Sequence, residues 1–221
     1  MGCNCIDVSE HNGSINWDQV RNDGVDYALI RCGYGIDIES QDDKYFHINM
    51  EGALNVGIKV GVYFYSYADN ADKAACEAEH CLRLIKGYKD KLSLPVFYDL
   101  EESKNIPNIF EIYSMFEAIL NEAGFNVGCY ACQYWFDTYL KPVPISYTWV
   151  AKWGNNQPDW GVSIWQFTDK GHCLGVNGDV DCDVVIDTDM KALIDKPDSV
   201  NITVKVEAPE NIQVNINVER G

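Results

Sequence analysis

The stretch Leu94-Pro95-Val96-Phe97-Tyr98-Asp99-Leu100-Glu101-Glu102, together with the residues after it as far as Cys132, sets the architecture. Its first part is short, apolar and rich in β-forming residues, so it reads as a strand. Next, Ile109, Ile112, Tyr113, Phe116, Ile119, Leu120 and Ala123 recur at helical spacing over residues 108–123, and Gly124 supplies the stop. Val127-Gly128-Cys129-Tyr130-Ala131-Cys132 is apolar and β-rich again. Strand, helix and strand in this order form one β-α-β unit, whose long crossover makes the two strands parallel.

The same rhythm extends in both directions from that unit. Strand-like runs occupy Cys5 to Val8, Tyr27 to Cys32, Lys59 to Tyr67, Leu94 to Leu100, Val127 to Cys132, Tyr147 to Trp153, Ser163 to Phe167 and Val180 to Ile186. A second helical pattern runs from Ala71 to Lys86. Eight strands joined by crossovers predict an α/β fold in which parallel strands close into a (β/α)8-like barrel over residues 1–196. Ordinary barrels of this kind need about 250 residues. This one must therefore be reduced and irregular, with the helices after Phe136 missing or stunted. Its active site belongs at the C-terminal ends of the strands.

Residues 197–221 differ in kind. Val200, Ile202, Val204 and Val206 alternate with polar residues, a polar Glu207 to Asn211 segment intervenes, and Ile212, Val214, Ile216 and Val218 alternate again. This pattern predicts a C-terminal β-hairpin tail with one apolar face. Two strands alone are marginal in water, so that face must cover the barrel, pair with another copy or seat a further wall-binding domain. Homo-oligomerisation through residues 200–218 is the favoured reading.

Composition removes several function classes. The 221 residues carry 17 Lys+Arg against 34 Asp+Glu, a formal net charge of -17, so a nucleic-acid backbone would be repelled. No apolar run approaches the roughly 18 residues of a membrane span, and anionic lipid would not attract this surface. Met1 to Asp7 lacks a basic segment followed by an apolar one, so synthesis in a cytoplasm without a signal peptide is expected. Ile6 stands where N-myristoylation wants Ser or Thr. The nine cysteines cannot all pair, and most are expected to be buried thiols. Cys129-x-x-Cys132 with Cys173, His172 or Cys182 is a poor zinc set, because strand alternation sends Cys129 and Cys132 to opposite faces. Asn177 to Asp183 lacks the Gly and Glu of a calcium loop at the required offsets. No metal or cofactor is expected.

The acids carry the chemistry. Side chains in a strand alternate, so Asp99 and Glu101 share a face, and Phe97 places that face inward. Asp7 ends the first strand and Asp181 lies at one end of the last. Barrel closure would bring those two strands together opposite the fourth, converging four acids on one mouth. Cleavage of a glycosidic bond needs one carboxylic acid to protonate the leaving oxygen and a second carboxylate facing the positive anomeric centre. Tyr63, Tyr65 and Tyr67 on one strand face, with Trp149 and Trp153 on another, are rings on which sugars stack. Asp99 and Glu101 could instead cap a loop or pair with Arg31.

The ordered motifs Ile6-Asp7-Val8-Ser9, Gly13-Ser14-Ile15-Asn16-Trp17, Ala28-Leu29-Ile30-Arg31, Gly61-Val62-Tyr63, Pro95 to Glu101, Ala151-Lys152-Trp153, Ile164-Trp165-Gln166 and Gly178-Asp179-Val180-Asp181 resemble glycoside hydrolase family 25, the lysozymes of bacteria, fungi and phages. The resemblance spans residues 3 to 190. It implies an irregular (β/α) barrel and N-acetylmuramidase activity, cleaving the β-1,4 bond between N-acetylmuramic acid and N-acetylglucosamine in peptidoglycan. By position it makes Glu101 the general acid, Asp99 its partner, and Asp7 and Asp181 the remaining acids, with Tyr63, Tyr130 and Trp153 along the groove. Tyr65 joins them on the strand-face argument. Two departures stand out: the family often has Asp where this chain has Asn16, and Asn where it has Asp183. The implied partner is the peptidoglycan glycan strand, and the missing signal suggests a phage endolysin that acts on the host wall. A glucosaminidase or chitinase-like barrel and a non-catalytic wall-glycan binder are the alternatives. The longer acidic signature of such chitinases is absent, with Leu94 and Phe97 at two of its positions.

Overall fold

A computed structural model describes residues 3–187. Eight strands form one closed barrel in sequence order: β1 (Cys5–Val8), β2 (Tyr27–Tyr34), β3 (Lys59–Tyr65), β4 (Leu92–Asp99), β5 (Val127–Cys132), β6 (Thr148–Ala151), β7 (Ile164–Gly171) and β8 (Val180–Val185). Five α-helices accompany them: α1 (Trp17–Asn22), α2 (Phe46–Asn55), α3 (Ala71–Ile85), α4 (Ile109–Glu122) and α5 (Gln133–Thr138). The predicted hairpin tail and its role in self-association lie outside the described residues. Among the described residues no helix is long and apolar enough to cross a membrane.

The two helices legible in the sequence form for the reasons their patterns give. Asn70 caps α3 by accepting the Lys73 amide at 3.0 Å, and Ala74, Ala78, Cys81, Leu84 and Ile85 make its buried stripe. In α4, Ile112, Tyr113, Phe116 and Leu120 are buried, and Gly124 at φ 82° ends the helical path. The ring of Phe116 stacks on Tyr98 of β4 at 3.8 Å between centroids. Beyond Phe136 only the stub α5 remains, and no α-helix separates β6 from β7 or β7 from β8, which is the reduction that chain length demanded.

One expectation is corrected. The strands are not all parallel: β1 through β7 run parallel to their neighbours, but β8 is antiparallel to both β7 and β1. Residues 172–179 are too few for the crossover that a parallel return requires, whereas an antiparallel neighbour needs only a turn. The reversal places the start of β8, rather than its end, at the mouth of the barrel. Predicted strand 3 also stops at Tyr65, so Tyr67 belongs to the following loop.

Two cores result. The larger lies between barrel and helices and collects the outward side chains of the strands, among them Ile6, Ile30, Val62, Phe64, Tyr98 and Trp165. The smaller fills the barrel with Cys5, Leu29, Tyr63, Leu94, Phe97, Tyr130, Trp149, Ile164 and Val185. Strand alternation sorts the residues: Phe97 faces in, Tyr98 out and Asp99 in. Gly128 makes room for this aromatic interior, since a Cβ there would sit 2.6 Å from the Phe97 ring. Cys129 is buried and Cys132 exposed, the opposite faces that the alternation requires.

Candidate active site

The mouth at the C-terminal ends of β1 to β7 opens into a cleft of about 390 Å³ lined by Asp7, Arg31, Tyr63, Tyr65, Asp99, Glu101, Tyr130, Trp149, Gln166 and Asp181, with Ser9, His11 and Asn12 at its edge. All four acids expected from the sequence therefore reach one cleft, as do Tyr63, Tyr65 and Tyr130. Trp153 stands at the rim, 61% exposed, with its indole N–H donating to Gln166 Oε1 at 3.2 Å. Tyr67 packs edge-on against Tyr65 and Tyr34, and the Lys104 ammonium lies 4.2 Å from its ring centroid.

Register explains the convergence. Tyr65, Asp99, Tyr130 and Trp149 are successive partners across β3, β4, β5 and β6, so they form one rung around the barrel. Opposite them, Asp7 of β1 is the partner of Asp181 of β8. Trp149 is the floor: Tyr63, Phe97 and Tyr130 surround its ring at centroid distances of 5.5, 5.6 and 4.3 Å.

The carboxyl environments differ. Asp99 is 4% exposed and its Oδ1 is buried without a hydrogen-bond donor. Burial, then the charge of Glu101, pushes its pKa well above the usual carboxylate range, against the pull of Arg31. Glu101, two residues beyond the end of β4, is exposed at the mouth. Its pKa is also raised, first by partial desolvation and then by Glu102 and Asp181. Asp7 is buried, and burial with the charges of Asp183 and Asp181 raises it well above normal, while a hydrogen bond from Gln166 opposes the shift. Desolvation raises Asp181 as well. Arg31 does not pair with the Asp99 and Glu101 acids: its Nε donates to Asp43 at 2.9 Å and an NH2 group to Glu10 at 3.4 Å.

The structure adds residues that the motifs did not single out. Gln166 is 2% exposed and joins three cleft groups. Its Oε1 accepts from Tyr130 Oη at 3.0 Å and from Trp153, and its Nε2 donates to Asp7 Oδ2 at 2.8 Å. Two donors on the oxygen settle which way the amide points. The available signal was an amide residue on the inward face of a strand between large apolar neighbours. Asp183, noted in the sequence only as a departure, is 0% exposed inside the barrel.

A buried network behind β3 and β4 holds the loops of the mouth. Glu77 of α3 accepts from Ser66 Oγ at 2.9 Å, Tyr98 Oη at 2.5 Å and the Tyr67 amide at 2.8 Å. Asn105 accepts the Glu102 amide at 2.9 Å and donates to the Ala68 carbonyl at 2.6 Å, tying the loop after β4 to the loop after β3. Tyr65 Oη donates to Glu102 at 2.9 Å. Among the described residues no group of three or more His, Cys, Asp or Glu side chains is arranged to hold a metal ion.

Such a site can bind a polymer of sugars across aromatic rims and place carboxyl groups of unlike exposure on opposite sides of a scissile bond. Comparison with known proteins agrees with that chemistry. The model of the glycosyl hydrolases family 25 matches residues 6–176. An autolytic lysozyme of Clostridium acetobutylicum is 26% identical over 184 residues, covering 80% of this chain and 54% of that protein. Among solved structures, the modular autolysin LytC of Streptococcus pneumoniae, determined with a synthetic peptidoglycan ligand, is 32% identical with a TM-score of 0.72, covering 81% of this chain and 45% of that one. The catalytic domain of an endolysin from a Listeria monocytogenes bacteriophage shares the fold at 23% identity and a TM-score of 0.77, covering 88% and 98%. The chain spans 54% and 66% of the lengths of the two curated relatives it matches.

Proposed function

The chain belongs to glycosyl hydrolase family 25, and on that basis we propose that it is a peptidoglycan hydrolase, an N-acetylmuramidase that cleaves the β-1,4 bond between N-acetylmuramic acid and N-acetylglucosamine. The observation that carries the proposal is the juxtaposition of Asp99 and Glu101 at the end of β4 with Asp7 and Asp181 in one aromatic-lined cleft. Glu101 is the general acid: it reaches solvent, partial desolvation and its acidic neighbours shift it towards the protonated form, and its proton passes to the leaving glycosidic oxygen. Asp99, deeper and with a free buried Oδ1, stabilises the positive charge that develops at the anomeric carbon. Asp7 and Asp181 complete the field on the opposite wall. Tyr63, Tyr65, Tyr130 and Trp153 supply stacking surfaces for successive sugars.

The site of action is the bacterial cell wall. We read the enzyme as an endolysin made in the cytoplasm of a phage-infected host; the catalytic domain of a phage endolysin is among the structures that share its fold.

The test is incubation with Gram-positive peptidoglycan, borohydride reduction and mass spectrometry of the soluble fragments. Muramitol ends are expected. Glucosaminitol ends would overturn the bond assignment in favour of a glucosaminidase, and release of no fragment would favour a wall-glycan binder. Glu101→Gln should cut the rate by roughly a hundred- to ten-thousandfold while folding and glycan binding persist. Near-normal turnover by that variant would remove Glu101 from the role of acid.

A further inference from the structure

The interior face of β8 presents two acids, Asp181 at the mouth and Asp183 one pleat deeper. Because β8 is antiparallel to both neighbours, Asp183 is the register partner of Cys5 on β1 and of Gln166 on β7. It is fully enclosed. Trp149 Nε1 donates to its Oδ1 at 2.7 Å, while its Oδ2 is buried with no donor from the described protein groups. The Asp7 carboxyl lies at hydrogen-bond range of both Asp183 and Asp181, and its Oδ2 already takes the Gln166 amide.

Counting donors and acceptors decides the protonation. Three carboxyl groups meet here, and the neutral donors aimed at them are the Trp149 indole and the Gln166 amide. Arg31, the guanidinium lining this cleft, is engaged by Asp43 and Glu10. The titratable groups facing Asp183 are Asp7, Cys3, Cys5, Tyr130 and Asp181, all of which are acids. Two adjacent buried carboxylates with no cation between them are unstable unless a proton bridges them. Asp7 has the amide donor and opens on the cleft, whereas Asp183 Oδ2 has neither donor nor solvent, so the proton belongs on Asp183.

We propose that Asp183 is a positioning residue of the reaction, a buried carboxylic acid whose hydroxyl donates to Asp7 and, with Gln166, aims Asp7 into the cleft and favours its ionised form against the burial that opposes it. Desolvation and the charge of Asp181 favour the neutral form of Asp183, the direction this role requires, and outweigh the hydrogen bonds of Trp149 and Asp7 that oppose it. An amide at this position would make the same donation permanently, so Asn is the conservative replacement. The inference rests on the reading of the cleft as a peptidoglycan hydrolase site.

Two measurements on the full chain test it. The first is the pH dependence of unfolding, from which the number of protons retained on folding is obtained. Between about pH 5 and 7 the wild type should retain about one more proton than Asp183→Asn, and equal counts would overturn the proposal. The second is kinetics on peptidoglycan. Asp183→Ala should lower kcat about tenfold or more with KM little changed, and Asp183→Asn should restore most of that loss. An Asn variant as slow as the Ala variant, or an Ala variant as fast as the wild type, would refute the positioning role. Should Asp183→Ala fail to fold, the Asn variant alone decides: kcat depressed to a tenth or less refutes the role. A wild type that releases no glycan would fail the functional reading, while the proton count would still report on Asp183.

Discussion

Replacing Gln166 by Glu changes one atom type at the centre of the cleft and reverses a single interaction. The introduced carboxyl can still accept from Tyr130 Oη and Trp153 Nε1, at the 3.0 and 3.2 Å now made by the amide oxygen. What is lost is the donor to Asp7 at 2.8 Å. A buried hydrogen bond to a charged group is worth about 1.5–3 kcal/mol, and the like charge now facing Asp7 adds to that loss. The penalty depends on pH. Burial beside Asp7 raises the folded-state pKa of the new carboxyl above its unfolded value of about 4.3. Below the unfolded value the group is protonated in both states and can donate to Asp7, so little stability is lost. Above it the unfolded chain ionises while the folded one resists, and the deficit grows by up to about 1.4 kcal/mol per pH unit until the folded pKa is passed. Urea unfolding of wild type and Gln166→Glu at about pH 4.5 and 7.5 should therefore show a small difference at the lower pH and one of about 2–4 kcal/mol at the higher. Turnover should fall in parallel. A difference independent of pH, or one below about 0.5 kcal/mol at both values, would refute the claim that the amide is oriented to donate to Asp7.

Two further perturbations probe the frame around the site. Glu77→Ala removes the acceptor of Ser66 Oγ, Tyr98 Oη and the Tyr67 amide in a dry interior; the two hydroxyls still bond each other at 3.0 Å, so one hydroxyl proton and the amide are left unsatisfied, at about 1–3 kcal/mol each. Thermal unfolding should show a loss of at least about 2 kcal/mol, and a loss under about 1 kcal/mol would mean that water or repacking replaces the carboxylate. Gly128→Ala drives a methyl against the Phe97 ring at 2.6 Å and the Tyr147 carbonyl at 2.7 Å. Overpacking of this kind costs about 1–3 kcal/mol, and an unchanged denaturation midpoint would show that the interior has slack the structure does not suggest.

Much of the fold was legible because its signals are local. Period-two alternation identified the strands and placed Asp99 with Phe97 on one face. The apolar stripe of residues 108–123 and the Gly124 stop located α4 to within a residue at each end. Chain length against strand number predicted that helices would be missing, and they are missing after Phe136. The direction of β8 was misread because an alternating run looks the same in either sense. Only the length of its connection distinguishes them, and the rule of β-α-β alternation was carried one strand too far.

The site divides along the same line. Asp99 and Glu101 are neighbours by chain geometry, so their pairing is already contained in the sequence. Acidic residues at both ends of the chain, aromatics suited to sugars and an ordered set of family motifs were also present there. Contacts such as Gln166 with Asp7, 159 residues apart, and Trp149 with Asp183 arise only when the barrel closes. Hydrophobic periodicity tells a residue which face it occupies but not which residue it will meet there. Closure, the reversed last strand and the depth of the interior decided that Asp7 would sit between an amide and a second acid, because burial and partner identity are properties of the assembled barrel.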